Sequence, residues 1–93
     1  MARCPADQLK DLEDVFKEIR KLESVQEKEV GIFYLKSKGF LHFHLKDGKR
    51  WADVRNGDDW GTQLNLPIRA PRSAKQRFLA EIKARHRKSM SLN

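Results

Sequence analysis

One cysteine, three prolines, one tyrosine and no long apolar run set the first limits on this 93-residue chain. A lone thiol can form no internal disulfide and supplies no cysteine-based zinc finger, so Cys4 reads as an ordinary thiol near a terminus. A membrane-spanning helix needs roughly 20 consecutive apolar residues, and none occurs. Met1-Ala2-Arg3-Cys4 leads into charged sequence rather than into the apolar stretch of a signal peptide, so the expectation is a cytoplasmic protein with no membrane partner. There is no glycine-rich phosphate loop, no paired-carboxylate signature and no Cys-x-x-Cys, and no serine or cysteine stands beside a base. Cofactors expected from the sequence are therefore none. The length suits one domain over 1–93, in which folding buries only about 60–65% of the chain's surface and uses nearly every apolar side chain for the core.

Charge is what the chain does have, and it is unevenly placed. Residues 1–66 carry twelve Lys+Arg and twelve Asp+Glu, whereas residues 67–93 carry eight basic residues against Glu81 alone. The whole net charge of +7 thus belongs to the last 27 residues. An excess so confined points to a segment that meets an anionic partner, most plausibly nucleic acid; the plain alternative is a solvated basic helix that keeps a small domain soluble.

From Ala6 to Gln26 the apolar residues Leu9, Leu12, Val15, Phe16, Ile19, Leu22 and Val25 recur at three-and-four spacing, which predicts an amphipathic helix over 6–26. The following sequence is rich in β-branched and aromatic residues punctuated by glycine, and predicts strands over 30–36, 40–46 and 49–55. Asp47-Gly48 suits a two-residue type I′ turn. Leu45 then faces Arg50, His44 faces Trp51, Phe43 faces Ala52, His42 faces Asp53 and Leu41 faces Val54. A three-residue loop Ser37-Lys38-Gly39 would place Phe33 opposite Phe43, Tyr34 opposite His42 and Leu35 opposite Leu41. Both registers put Phe33, Leu35, Leu41, Phe43, Leu45, Ala52 and Val54 on one face, the predicted core. Ile32, Tyr34, Phe40, His42, His44, Trp51, Asp53 and Arg55 fall on the other. A fourth strand is expected over 60–66, after the turn sequence Asn56-Gly57-Asp58-Asp59. Ser73-Ala74-Lys75-Gln76 fits a capping box and predicts a helix over 74–88, with Phe78, Leu79 and Ile82 as its narrow apolar stripe and a frayed tail over 89–93. The expected fold is α+β: an antiparallel three- or four-stranded meander flanked by an N-terminal and a C-terminal helix. If both helices cover the Phe33/Phe43/Val54 face, the histidine face is left free.

That second face carries the candidate chemistry. His42 and His44, two apart on one strand, point the same way, and Asp53 lies across from them; two imidazoles and a carboxylate are the ligand set of many metal centres. The sequence favours the metal-free reading, in which His42 bonds Asp53 and Tyr34 while His44 stacks on Trp51. An acid–base site would use Asp53 to orient His42, with Tyr34 as a proton donor. Tyr34, Phe40 and Trp51, edged by Lys36, Lys46 and Arg55, also read as a stacking platform for single-stranded nucleic acid or as the interface of a homodimer. On the C-terminal helix, Arg77, Lys83, Arg85, Arg87 and Lys88 are the candidate anion-binding residues. Taken together these features favour a binding module over an enzyme.

Gly31-Ile32-Phe33-Tyr34-Leu35-Lys36-Ser37-Lys38, Phe40-Leu41-His42-Phe43-His44 and Ala52-Asp53-Val54-Arg55 carry a resemblance. This stretch resembles short bacterial proteins of uncharacterised function in which a Phe-Leu-His-Phe-His strand precedes Ala-Asp-Val-Arg. It covers about residues 31–55 and a following helix, roughly half the chain. The resemblance implies a compact bacterial α+β domain and no activity. Where such proteins usually have a short acidic loop, this chain has Lys49-Arg50.

Overall fold

The computed structural model describes residues 3–91. The chain enters through two 3₁₀ turns, Ala6–Gln8 and Lys10–Leu12, which run into helix α1, Glu13–Arg20. Strands β1 (Val25–Glu29), β2 (Ile32–Leu35), β3 (Lys38–Lys46) and β4 (Lys49–Asn56) follow in meander order. Two short strands, β5 (Asp59–Trp60) and β6 (Leu64–Asn65), both pair with β4, and helix α2, Arg72–Met90, closes the chain. The architecture is α+β with an antiparallel sheet, as the sequence pattern predicts.

The expected helix over 6–26 is shorter and ends in a strand. Leu22 and Val25 continue the helical spacing of Ile19, but the helix ends at Arg20 and Ser24 takes a positive φ of 65°. Val25 then opens β1, which pairs with β2 through Val25 and Leu35, Gln26 and Tyr34, and Glu27 and Phe33. Apart from Val25, β1 is Gln-Glu-Lys-Glu, a charged edge of the kind that blunts edge-to-edge association. Val30 and Gly31 form the next turn rather than the start of a strand. Gly31 has φ 78°, and a Cβ there would lie 2.6 Å from Leu9 Cδ1, so both backbone and packing demand glycine.

The β3–β4 hairpin has the register set by Asp47-Gly48, with Leu41, His42, Phe43, His44 and Leu45 opposite Val54, Asp53, Ala52, Trp51 and Arg50. The β2–β3 register differs from expectation. Its turn is the two residues Lys36-Ser37, with Lys36 at φ 61°, so Leu35 pairs with Lys38 and Tyr34 with Gly39. Phe33 then pairs with Leu41, and Phe40 is the extra residue of a β-bulge. The bulge turns Phe40 away from the histidine face. It is fully buried, its ring 6.3 Å from that of His86 on α2, and it is no stacking or interface residue. The strand expected over 60–66 is broken into β5 and β6. Helix α2 starts at Arg72 with Pro71 as its N-cap, so Ser73 lies inside the first turn and the capping box does not form. The helix also runs through residues 89 and 90, where a frayed tail was expected; residues 92 and 93 lie outside the described residues.

Both helices cover the same face of the sheet. Phe16 of α1 lies 5.6 Å from Phe33 and 5.8 Å from Phe43, and Phe78 of α2 lies 5.7 Å from Phe43. Leu41, Ala52, Val54, Leu66 and Ile82 complete a single buried cluster. Opposite Leu45, and so on this same face, stands Arg50 with a fully buried side chain. All five of its N–H donors are used. Nε donates to the Leu66 carbonyl, Nη1 to the Gln8 carbonyl and Asp11 Oδ1, and Nη2 to Asp11 Oδ2 and the Pro67 carbonyl, at 2.7–2.9 Å. Arg50 thereby ties the N-terminal turns, β4 and the β6–α2 connection together. The fork also holds Asp11 below the ordinary carboxylate pKa through its hydrogen bonds.

Candidate functional site

With both helices on one face, the alternate residues of β3 and β4 form an open surface on the other. Asp53 Oδ2 is the hub of this surface: it lies 2.8 Å from His44 Nε2 and 3.3 Å from His42 Nε2. The shorter contact is the diagonal one, to His44, rather than the directly opposite His42. The two imidazoles meet edge to face at 4.8 Å, and the ligand-capable atoms of the three residues all lie within 4.8 Å of one another. All three side chains are half-buried, His44 the most, at 12% exposure. Burial is the first cause that lowers the His42 pKa, and the neighbouring His44 adds to it.

Aromatic rings wall the cluster on both sides. Trp51 stacks on His44 at 5.2 Å and 20°, as the metal-free sequence reading expects. Trp60 packs against His42 at 5.0 Å and carries the Arg55 guanidinium on its ring at 4.6 Å. A cleft of about 200 Å³, lined by Arg3, Ile32, Tyr34, His42 and His44, borders the two imidazoles. Arg3 reaches it because residue 3 forms a β-bridge with His44. Tyr34 lines the cleft but faces Gly39 rather than His42, and among the described residues its hydroxyl bonds neither imidazole. The stacking platform is depleted. Phe40 is buried, Trp51 is already stacked, and Arg55 donates to the carbonyls of Gly39 and Asp58.

The second candidate is the outer face of α2. Phe78, Ile82, Arg85, His86 and Ser89 form its buried side. Arg85 is no surface cation: with 4% of its side chain exposed, it donates from Nη1 to the Val54 and Thr62 carbonyls, from Nη2 to Thr62 Oγ1 and from Nε to Glu81 Oε2. It drops out of the anion-binding set. His86 is likewise structural, with Nε2 2.8 Å from the Glu23 carbonyl oxygen. What remains outside is Arg72, Arg77, Arg87 and Lys88, all exposed, with Lys83 half-buried on the margin. Ala80 and Ala84 lie between them. The lone acid of the helix, Glu81, has 46% of its side chain exposed at the margin of this face, four residues after Arg77, and pairs with Arg85.

Arg50 and Arg85 are the buried structural side chains that charge counting alone misplaces. For Arg50 the sequence holds a signal, since its strand parity is that of Ala52 and Val54. For Arg85, helical spacing from Phe78 and Ile82 gives the same indication. Among the described residues no helix is long and apolar enough to cross a membrane. No family model, curated protein or solved structure matches the chain.

Proposed function

We propose that this protein is a non-enzymatic binding module whose partner is nucleic acid, held along the exposed face of α2. One observation carries the reading: that face presents Arg72, Arg77, Arg87 and Lys88, with Lys83 at its edge, and the one acid of the helix, Glu81, is paired with Arg85. Nineteen residues rise about 28 Å, long enough to follow several phosphates of a strand or groove. Alanines at 80 and 84 keep the middle of the face low, which lets the helix backbone approach a phosphate ridge. The burial of Arg85 sharpens the reading: the excess charge is not spread around the helix but confined to one side of it.

Four or five phosphate contacts give a slope of log K against log salt of about −4, so affinity falls roughly 150- to 500-fold between 50 and 200 mM salt. Fluorescence anisotropy with labelled duplex and single-stranded oligonucleotides measures that slope directly. An Arg77→Ala/Arg87→Ala/Lys88→Ala variant is expected to fold normally, since alanine favours helices, and to bind at least tenfold more weakly with a shallower slope. Absence of binding to both oligonucleotides at 50 mM salt would overturn the proposal. A homodimer through the open sheet face has less support. The exposed large apolar side chains among the described residues are Val30 and Trp60, and Trp60 is covered on its ring by Arg55.

A further inference from the structure

The sheet face opposite α2 carries a second, independent inference. We infer that His42, His44 and Asp53 form a binding site for a divalent first-row transition ion, with Zn²⁺ as the representative ion, leaving coordination positions open toward the adjoining cleft.

Three observations carry it. First, the three groups converge: both imidazole Nε2 atoms address the same carboxylate oxygen, at 2.8 and 3.3 Å, and the whole set lies within 4.8 Å. A bound Zn²⁺ with ligand distances of about 2.0–2.2 Å holds its donor atoms roughly 3.0–3.5 Å apart. Two of the separations are already near that range. An i, i+2 pair on one strand and a cross-strand neighbour present all three ligands from the paired β3–β4 ladder.

Second, the supporting shell holds the ligands in place. Trp51 stacks flat on His44 and Trp60 packs edge-on to His42, so each imidazole is packed against an indole. Ordered ligands of this kind bind metal without first losing side-chain freedom. Third, three protein ligands leave a four- or five-coordinate ion with at least one free position. The 200 Å³ cleft beside His42 and His44 gives such a position access to solvent, with Arg3 and Tyr34 at its rim. Two imidazoles and one carboxylate favour Zn²⁺, Ni²⁺, Fe²⁺ or Cu²⁺ over Mg²⁺ and Ca²⁺, which prefer all-oxygen sets.

The site shares no residue with the α2 face, so failure of the oligonucleotide titration leaves it untouched, and the reverse also holds. The test is calorimetric titration of Zn²⁺ into the full chain at neutral pH. One-to-one uptake is expected, together with a raised thermal midpoint and perturbed imidazole NMR signals of His42 and His44 but not His86. His44→Gln and Asp53→Asn should each weaken binding at least tenfold, while Cys4→Ser, whose thiol packs toward the Pro5 and Gln8 carbonyls, should leave it unchanged. With Co²⁺ as probe, ligand-field bands without thiolate charge transfer are expected. The wild-type titration and its NMR readout do not depend on any variant folding. No saturable uptake by the wild type would overturn the inference. So would an affinity unaffected by both substitutions, or Mg²⁺ binding as tightly as Zn²⁺.

Discussion

Replacing Arg50 by methionine tests how the fold is held. The substitution keeps most of the buried aliphatic volume and removes the guanidinium. Five hydrogen bonds disappear together, three of them to the backbone carbonyls of Gln8, Leu66 and Pro67 and two to Asp11. The carboxylate of Asp11, one-quarter exposed, regains water only in part. Breaking a buried ion pair by removing one partner costs about 3–5 kcal/mol, and the stranded carbonyls argue for the upper half of that range. A domain of this length has a total stability on the order of 5–14 kcal/mol, so the loss is a large share of it. At roughly 4–8 °C per kcal/mol for a domain this small, the thermal midpoint should fall by about 16–40 °C. Urea unfolding followed by the fluorescence of Trp51 and Trp60 measures the effect, with an unchanged m-value showing that two-state unfolding survives. Asp11→Asn keeps the shape but leaves the fully buried guanidinium without its counter-ion and turns one acceptor oxygen into an NH₂ donor, so it should cost a comparable amount, about 3–5 kcal/mol. The double variant should show a coupling energy above roughly 1 kcal/mol, as expected of residues in one network. An Arg50→Met variant within about 1 kcal/mol of the parent would refute the assignment of Arg50 as the tie between these segments.

Other measurements probe separate features. Because Asp11 titrates below its ordinary range when folded, its contribution is complete above about pH 4 and is lost as pH falls through the folded pKa; acid titration should show that loss in the parent and not in Asp11→Asn. Gly61→Ala would place a Cβ 2.6 Å from Arg85 Nη1, and since that nitrogen bonds the Val54 and Thr62 carbonyls, moving it should cost about 1–3 kcal/mol in chemical unfolding. Phe40→Ala should cost about 3–5 kcal/mol by the same assay, whereas a residue on the open face would cost far less. Burial raises the Cys4 thiol pKa, so labelling with a thiol reagent should be slow in the native protein and speed up sharply on unfolding.

The parts of the fold that could be read from sequence are those governed by local chemistry. Asp47-Gly48 sets a turn type, a turn type sets a register, and the register places His42 and His44 on one face with Asp53. The candidate metal cluster follows from those steps alone. What escaped reading depends on non-local balance. Leu22 and Val25 fit a helix as well as they fit a turn and an edge strand, and pairing with β2 decides between them. The bulge at Phe40 follows from a tighter turn at Lys36-Ser37 combined with the need to bury one more ring against α2. Neither fact has a signature within a few residues. The two buried arginines illustrate a different gap: composition treats every guanidinium as surface charge, while geometry uses two of them to bond carbonyls of segments distant in sequence.

The alternation along β3 and β4 has an evolutionary corollary. Positions 41, 43, 52 and 54 belong to the packed interior, and positions 42, 44, 51 and 53 to the opposite surface. Because odd and even positions answer to different constraints, substitutions at the second set can alter surface chemistry while leaving the interior nearly intact. A combinatorial library randomised at 42, 44, 51 and 53 should therefore yield mostly folded members. In this fold, a change of ligand would be an inexpensive mutational path, and a change of core would not.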